Sequence, residues 1–139
     1  MNVDDVMALV ENNPEAFEVK KARLPDTSGK RYPVSIEMPL PWDPKLISEG
    51  NIIKSKTSLK LIHDIKLPQM DISHAANLVE TTKGVYEIHT LYAHAKQRPS
   101  AQITCFGSIR KTDDSGFVGK VTISIDGVQQ TSNWVVFYD

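Results

Sequence analysis

The side chains able to do chemistry are few: His63, His74, His89, His94, Cys105 and a scatter of carboxylates. A histidine serves as a general base, as the partner of a nucleophile or as a metal ligand, and each role needs a second group at a definite spacing. The run "SLKLIHDIKLPQMDISH", residues 58 to 74, sets His63 beside Asp64. On an extended strand adjacent side chains point to opposite faces, so these two cannot form an imidazole–carboxylate pair directly. The same alternation puts His63 on the face of Leu59, Leu61, Ile65 and Leu67, and Asp64 with Lys60 and Lys66 on the other. The expectation is a core histidine, neutral and hydrogen-bonded, that leucine can replace without loss of stability.

His89 and His94 lie five residues apart in "VYEIHTLYAHAK", a spacing that sends them to opposite strand faces unless a bulge intervenes. His74, read as part of a helix start, has no partner that spacing identifies. There is no HExxH, no paired CxxC, no phosphate-binding glycine loop and no GxSxG. No metal and no cofactor is therefore expected, and no residue is assigned a catalytic role. Cys105 alternates with Ile103 and Ile109, which makes it a small apolar core residue, since a nucleophile would need an exposed thiolate and a nearby base.

The elements that must position these residues read as a mixed α+β fold. At 139 residues the chain suits one domain, 1–139, with a core large enough to need neither disulfide nor structural metal. Val3, Val6, Met7 and Val10 fall on one helical face, with Asn2 as N-cap, and "NNP" ends the helix. "PDTSG" between two β-prone runs indicates a hairpin with strands near Glu18–Leu24 and Arg31–Met38, and Pro33 puts the second strand at an edge or a bulge. Asp43, Pro44 and Gly50 have the chemistry of cap, first turn and terminator for a short helix. Asp71 caps another, with Ile72, Ala75, Ala76 and Val79 on one face and Gly84 at its end.

From residue 85 onward the texture is β: Val85–Ala95, Ala101–Lys111, Phe117–Asp126 and Val128–Tyr138. Asp126-Gly127 supplies a tight hairpin turn and "DDSG" at 113 to 116 another. The fold class is thus an antiparallel sheet, made of a C-terminal four-strand meander plus an N-terminal hairpin, packed with an N-terminal helix and one or two short helices.

A formal net charge of −1 denies the chain the general positive field of a protein that coats duplex nucleic acid. Charge is uneven, however: Asp4, Asp5, Glu11, Glu15 and Glu18 make the first eighteen residues purely acidic. A lone cysteine and an acidic start without a long apolar core argue for a cytoplasmic protein, of a cell or made inside an infected one. No stretch approaches the roughly 20 apolar residues of a membrane-spanning helix.

With catalytic signatures missing, binding becomes the leading function class. Trp42, in the proline-rich "PLPWDP", is an anchor for a protein partner if exposed. Phe106 shares a strand face with Gln102, Thr104 and Ser108, and Arg98, Arg110 and Lys111 lie close in sequence. That mixture of base and aromatic would suit single-stranded nucleic acid unless another layer covers Phe106. The last strand carries Trp134, Val136 and Tyr138 on one face and Val135 and Phe137 on the other, as expected of a central strand or of one covered by a second copy in a homodimer. The leading expectation is a non-enzymatic macromolecule-binding protein of the small inhibitor, immunity or viral accessory type, acting through its sheet or its Pro-Trp loop. The alternatives are a single-stranded nucleic-acid-binding protein and a small histidine-dependent hydrolase or isomerase.

Overall fold

The computed structural model describes residues 26–139. Eight strands follow one another: β1 (Lys30–Glu37), β2 (Ile47–Lys54), β3 (Leu59–Leu67), β4 (Met70–Thr82), β5 (Val85–Ala95), β6 (Ile103–Lys111), β7 (Phe117–Ile125) and β8 (Val128–Tyr138). Each pairs antiparallel with the next, and β1 pairs with β8, so the sheet closes into an up-and-down barrel. No helix occurs among the described residues, which corrects the α+β expectation to an all-β barrel.

Neither short helix forms, for different reasons: the segment after Asp71 is strand, and the one at Asp43 is a turn that leads into β2. In the segment after Asp71 the helical set Ile72, Ala75, Ala76, Val79 competes with a period-two set, Ile72, His74, Ala76, Leu78. The second set is the one that faces inward, because β3 lies alongside and pairs from Lys60↔Asn77 to Leu67↔Met70. Long-range pairing overrides the local helical preference of the alanines. Near Asp43 the carboxylate does accept from the Lys45 amide as a cap would. The chain is nevertheless held as a turn by reciprocal Leu40–Asp43 backbone bonds and by the Met38 amide on the Leu46 carbonyl.

The expected first strand of the hairpin and the N-terminal helix lie outside the described residues. Its second strand is β1, which has neighbours on both sides only over Val34–Glu37; Pro33 pairs with Asn51 of β2 alone. It sits where the β1–β8 ladder stops, one residue beyond Val34↔Tyr138, and there a missing donor costs little. The four C-terminal strands fall where the sequence puts them, and Asp126 and Gly127 both adopt positive φ, 51° and 85°, as the tight hairpin turn requires. β8 is flanked by β7 and β1 along both edges; Trp134 and Val136 point into the barrel, while Val135 and Phe137 stand on the outer face.

An eight-strand barrel is just wide enough for side chains to fill. Ile36, Ile52, Leu61, Ile65, Ile72, Ile88 and Trp134 occupy the interior, and Met38, Leu40 and Leu46 join them from the β1–β2 loop. Burying this set against water is the main force closing the sheet.

Candidate functional site

Inside the barrel, two histidines that sequence reading kept apart face each other. His63 on β3 and His74 on β4 are direct cross-strand partners on the inward face, and His63 Nε2 lies 2.7 Å from His74 Nδ1. The contact continues both ways. Ser48 Oγ on β2 is 2.8 Å from His63 Nδ1, and its hydroxyl donates to the Asp64 carbonyl at 2.8 Å. His74 Nε2 is 2.9 Å from Thr90 Oγ1 on β5, whose hydroxyl donates to the Cys105 carbonyl on β6 at 2.9 Å and accepts the Cys105 amide at 2.9 Å. A polar belt thus runs along the inner wall across five consecutive strands.

Backbone details make the belt possible. Gly50 stands opposite His63, where a Cβ would collide with the Ile62 carbonyl and the His63 backbone, so its absence lets β2 approach β3 closely. On β5 the register shifts: Ala75 pairs with Tyr92 but Ala76 pairs with Thr90, leaving Leu91 as the extra residue of a bulge. The bulge keeps Thr90 facing inward. It also answers the spacing of His89 and His94, which now both lie outside, His89 against the Glu87 carboxylate at 2.9 Å and His94 stacked on Tyr92.

His63 and His74 are buried. Burial, and secondly the nearby His74, hold the His63 imidazolium well below its ordinary pKa, while burial lowers His74 to about 4. Both rings are neutral at pH 7. Burial also pushes the Cys105 thiol up to about 12, so it is not a thiolate nucleophile. The Ser48–His63 contact resembles a nucleophile with its base, but the Ser48 hydroxyl is committed to a carbonyl and the second His63 nitrogen to His74. The facing nitrogens of His63 and His74 are 2.7 Å apart and leave no space for an ion between them. Among the described residues no cluster of three or more metal-ligating side chains occurs.

His63 is therefore the core residue the alternation indicated, but its contact with His74 argues against the leucine tolerance expected of it. A leucine side chain in its place would leave His74 Nδ1 buried without a partner. The missed residues are Ser48 and Thr90, together with the pairing of His74 with His63. One signal was available: "HDIKLPQMDISH" is nearly mirror-symmetric about Pro68-Gln69, with His63 answering His74, Ile65 answering Ile72 and Lys66 answering Asp71, the pairing the β3–β4 hairpin makes.

The expected binding residues divide into two groups. Trp42 is 55% exposed in the β1–β2 loop, beside a hollow of about 290 Å³ that it shares with Leu67, Pro68, Gln69 and Met70 of the β3–β4 turn. Arg98, in the β5–β6 connection at the same end of the barrel, is held by the Asp126 carboxylate. Phe106, 44% exposed, and Arg110 project from the outer face of β6, with Lys111 at that strand's end, where its amide bonds the Gly84 carbonyl. Phe106 lies between His89 and Thr122, and Lys120, which sequence reading did not select, stands opposite Ser108 on the same face. Among the described residues no second layer covers Phe106. Arg98 is thus separated from the Phe106 group, and Trp42 belongs to neither strand face.

No family model, no curated protein and no solved structure matches this chain.

Proposed function

We propose that this is a non-enzymatic binding protein that presents Trp42 as the anchor for a protein partner. The observation that carries the reading is a large aromatic held out rigidly. Trp42 sits in a loop fixed by the Leu40–Asp43 and Met38–Leu46 backbone bonds and by Leu40 and Leu46 buried beneath it, while its own ring is mostly in water. An anchor already ordered loses little entropy on docking, and exposed tryptophans of this kind dominate interface energies. Exposed Ile47 at the start of β2 and the hollow against Leu67–Met70 extend the apolar area. In pull-downs from the native host, Trp42→Ala is expected to lose a partner that the original chain retains, with an unchanged melting temperature. Identical retention by both proteins would overturn the reading.

The outer face of β6 favours a second reading, binding of single-stranded nucleic acid. Phe106 offers a stacking surface, and Arg110 and Lys120 on the same face offer charges for a phosphate backbone. Phe106→Ala should weaken binding of a labelled oligonucleotide by about 1–3 kcal/mol, and affinity should fall as salt rises. No anisotropy change at low salt would remove it. A homodimer through β8 would have to use Val135 and Phe137 on the outer face, because both edges of that strand are paired. A histidine-dependent hydrolase or isomerase would draw on one of the four histidines: His63 and His74 are enclosed in the belt, whereas His89, beside Glu87, and His94, stacked on Tyr92, stand on the outer wall.

A further inference from the structure

The belt's hydrogen count does not close at neutral charge. Ser48 and Thr90 have one hydroxyl hydrogen each, and carbonyls only accept, so those two hydrogens go to Asp64 O and Cys105 O. Three contacts then remain: Ser48 Oγ to His63 Nδ1, His63 Nε2 to His74 Nδ1, and His74 Nε2 to Thr90 Oγ1. All three must draw their hydrogens from the imidazoles. Two neutral rings hold one N–H each, so one contact at 2.7–2.9 Å has lone pairs facing each other. One added proton fills the gap. A second would set two N–H groups head to head at the 2.7 Å contact and force the rings apart.

We propose that the barrel interior is a site for a single proton, shared between His63 Nε2 and His74 Nδ1, which the folded protein takes up on acidification and which completes the belt. No carboxylate on the adjoining strands opposes or assists from inside. Glu49 on β2 and Asp64 on β3 lie on the outer face, where Asp64 accepts from Ser73, and Tyr92 and His94 of β5 are also outside. Of the other strands, β6 contributes the buried neutral Cys105 thiol, β8 buried Ser132 and the Trp134 ring, and β1 and β7 buried aliphatic residues such as Ile36 and Val121. The Trp134 ring centroid is 5.4 Å from that of His63, within range to stabilise a cation there. Burial works against uptake, so its midpoint falls below the ordinary histidine value, while three satisfied charge-assisted contacts keep it within reach of the folded state.

The test is a titration of the full chain, labelled with ¹⁵N at histidine, following ring nitrogens from pH 7.5 downward alongside backbone amide dispersion. His89→Gln and His94→Gln, on the outer surface, assign the other two rings. His63 Nε2 and His74 Nδ1 should move together with one midpoint below 6.5 and one proton per pair, with amide dispersion intact. The second proton should enter only as dispersion is lost. Ser48→Ala supplies the discriminating arm: it removes one of the three contacts, so two neutral rings then suffice, and the midpoint should drop by about one pH unit, a tenfold loss of proton affinity. Rings that stay neutral until the barrel unfolds, two separate midpoints in the folded protein, or an unchanged or raised midpoint in Ser48→Ala would each overturn the proposal.

Discussion

Two seams of the barrel are short, and they are closed by different means. Between β1 and β8 the ladder runs only over Val34–Glu37, and the loose end is tied by Asp139: its amide donates to the Pro33 carbonyl and Ser35 Oγ donates to its Oδ1 at 2.7 Å. Between β5 and β6 the ladder runs only over Val85–His89, and there a side chain replaces backbone. Thr90 Oγ1 bonds both the amide and the carbonyl of Cys105, next to the last ladder pair. The first tie is exposed and stands alone. The second is half-buried and continuous with the two buried histidines, so it ties that wall to the belt.

The largest break in this comparison should come from Thr90→Val, close in shape but without the hydroxyl. It leaves His74 Nε2 and both backbone groups of Cys105 without partners, and urea unfolding should show a loss of about 3 kcal/mol. A loss below about 1 kcal/mol would mean that the hydroxyl does not hold the seam. His63→Leu keeps Thr90 in place but strands His74 Nδ1, and should cost about 2 kcal/mol in the same assay.

Acid sharpens the contrast without mutation. The folded pKa of His74, about 4, lies below the unfolded value near 6.5, so its contribution is fully present above pH 6.5 and is lost as pH falls from there toward 4. At pH 5 that one ring removes roughly 2 kcal/mol, and His63 acts in the same direction. Hydrogen exchange should accordingly quicken at β5–β6 before it does at β1–β8; simultaneous opening would argue against a separate role for the belt. Ser35→Ala should have the smallest effect, about 0.5 kcal/mol, because the bond it removes is exposed, and its cost should not vary between pH 7 and 5.5.

Some of this was legible in the sequence. Alternation gave the inward face of β3 correctly, including His63, and turn chemistry placed the β6–β7 and β7–β8 hairpins, because both signals are local. Barrel closure was not legible, since it depends on β1 meeting β8 across the whole described chain. His74 was misassigned because "DISHAANLVE" satisfies two periodicities at once, and only the neighbouring strand selects between them. A bulge somewhere between them is the one exception that brings His89 and His94 to the same face, and the structure puts it at Leu91. Nothing in the local residues required it, and its use, turning Thr90 inward, becomes visible only beside Cys105.

The two tryptophans give the molecule a pair of built-in optical reporters. Trp42 emits from water and Trp134 from the barrel interior, so their spectra should separate, red-shifted and blue-shifted. A Trp42→Phe chain would then glow only from the wall that the histidines line. Any change in that light as conditions shift would report on the interior alone, and any change lost on that substitution would report on a visitor at the loop.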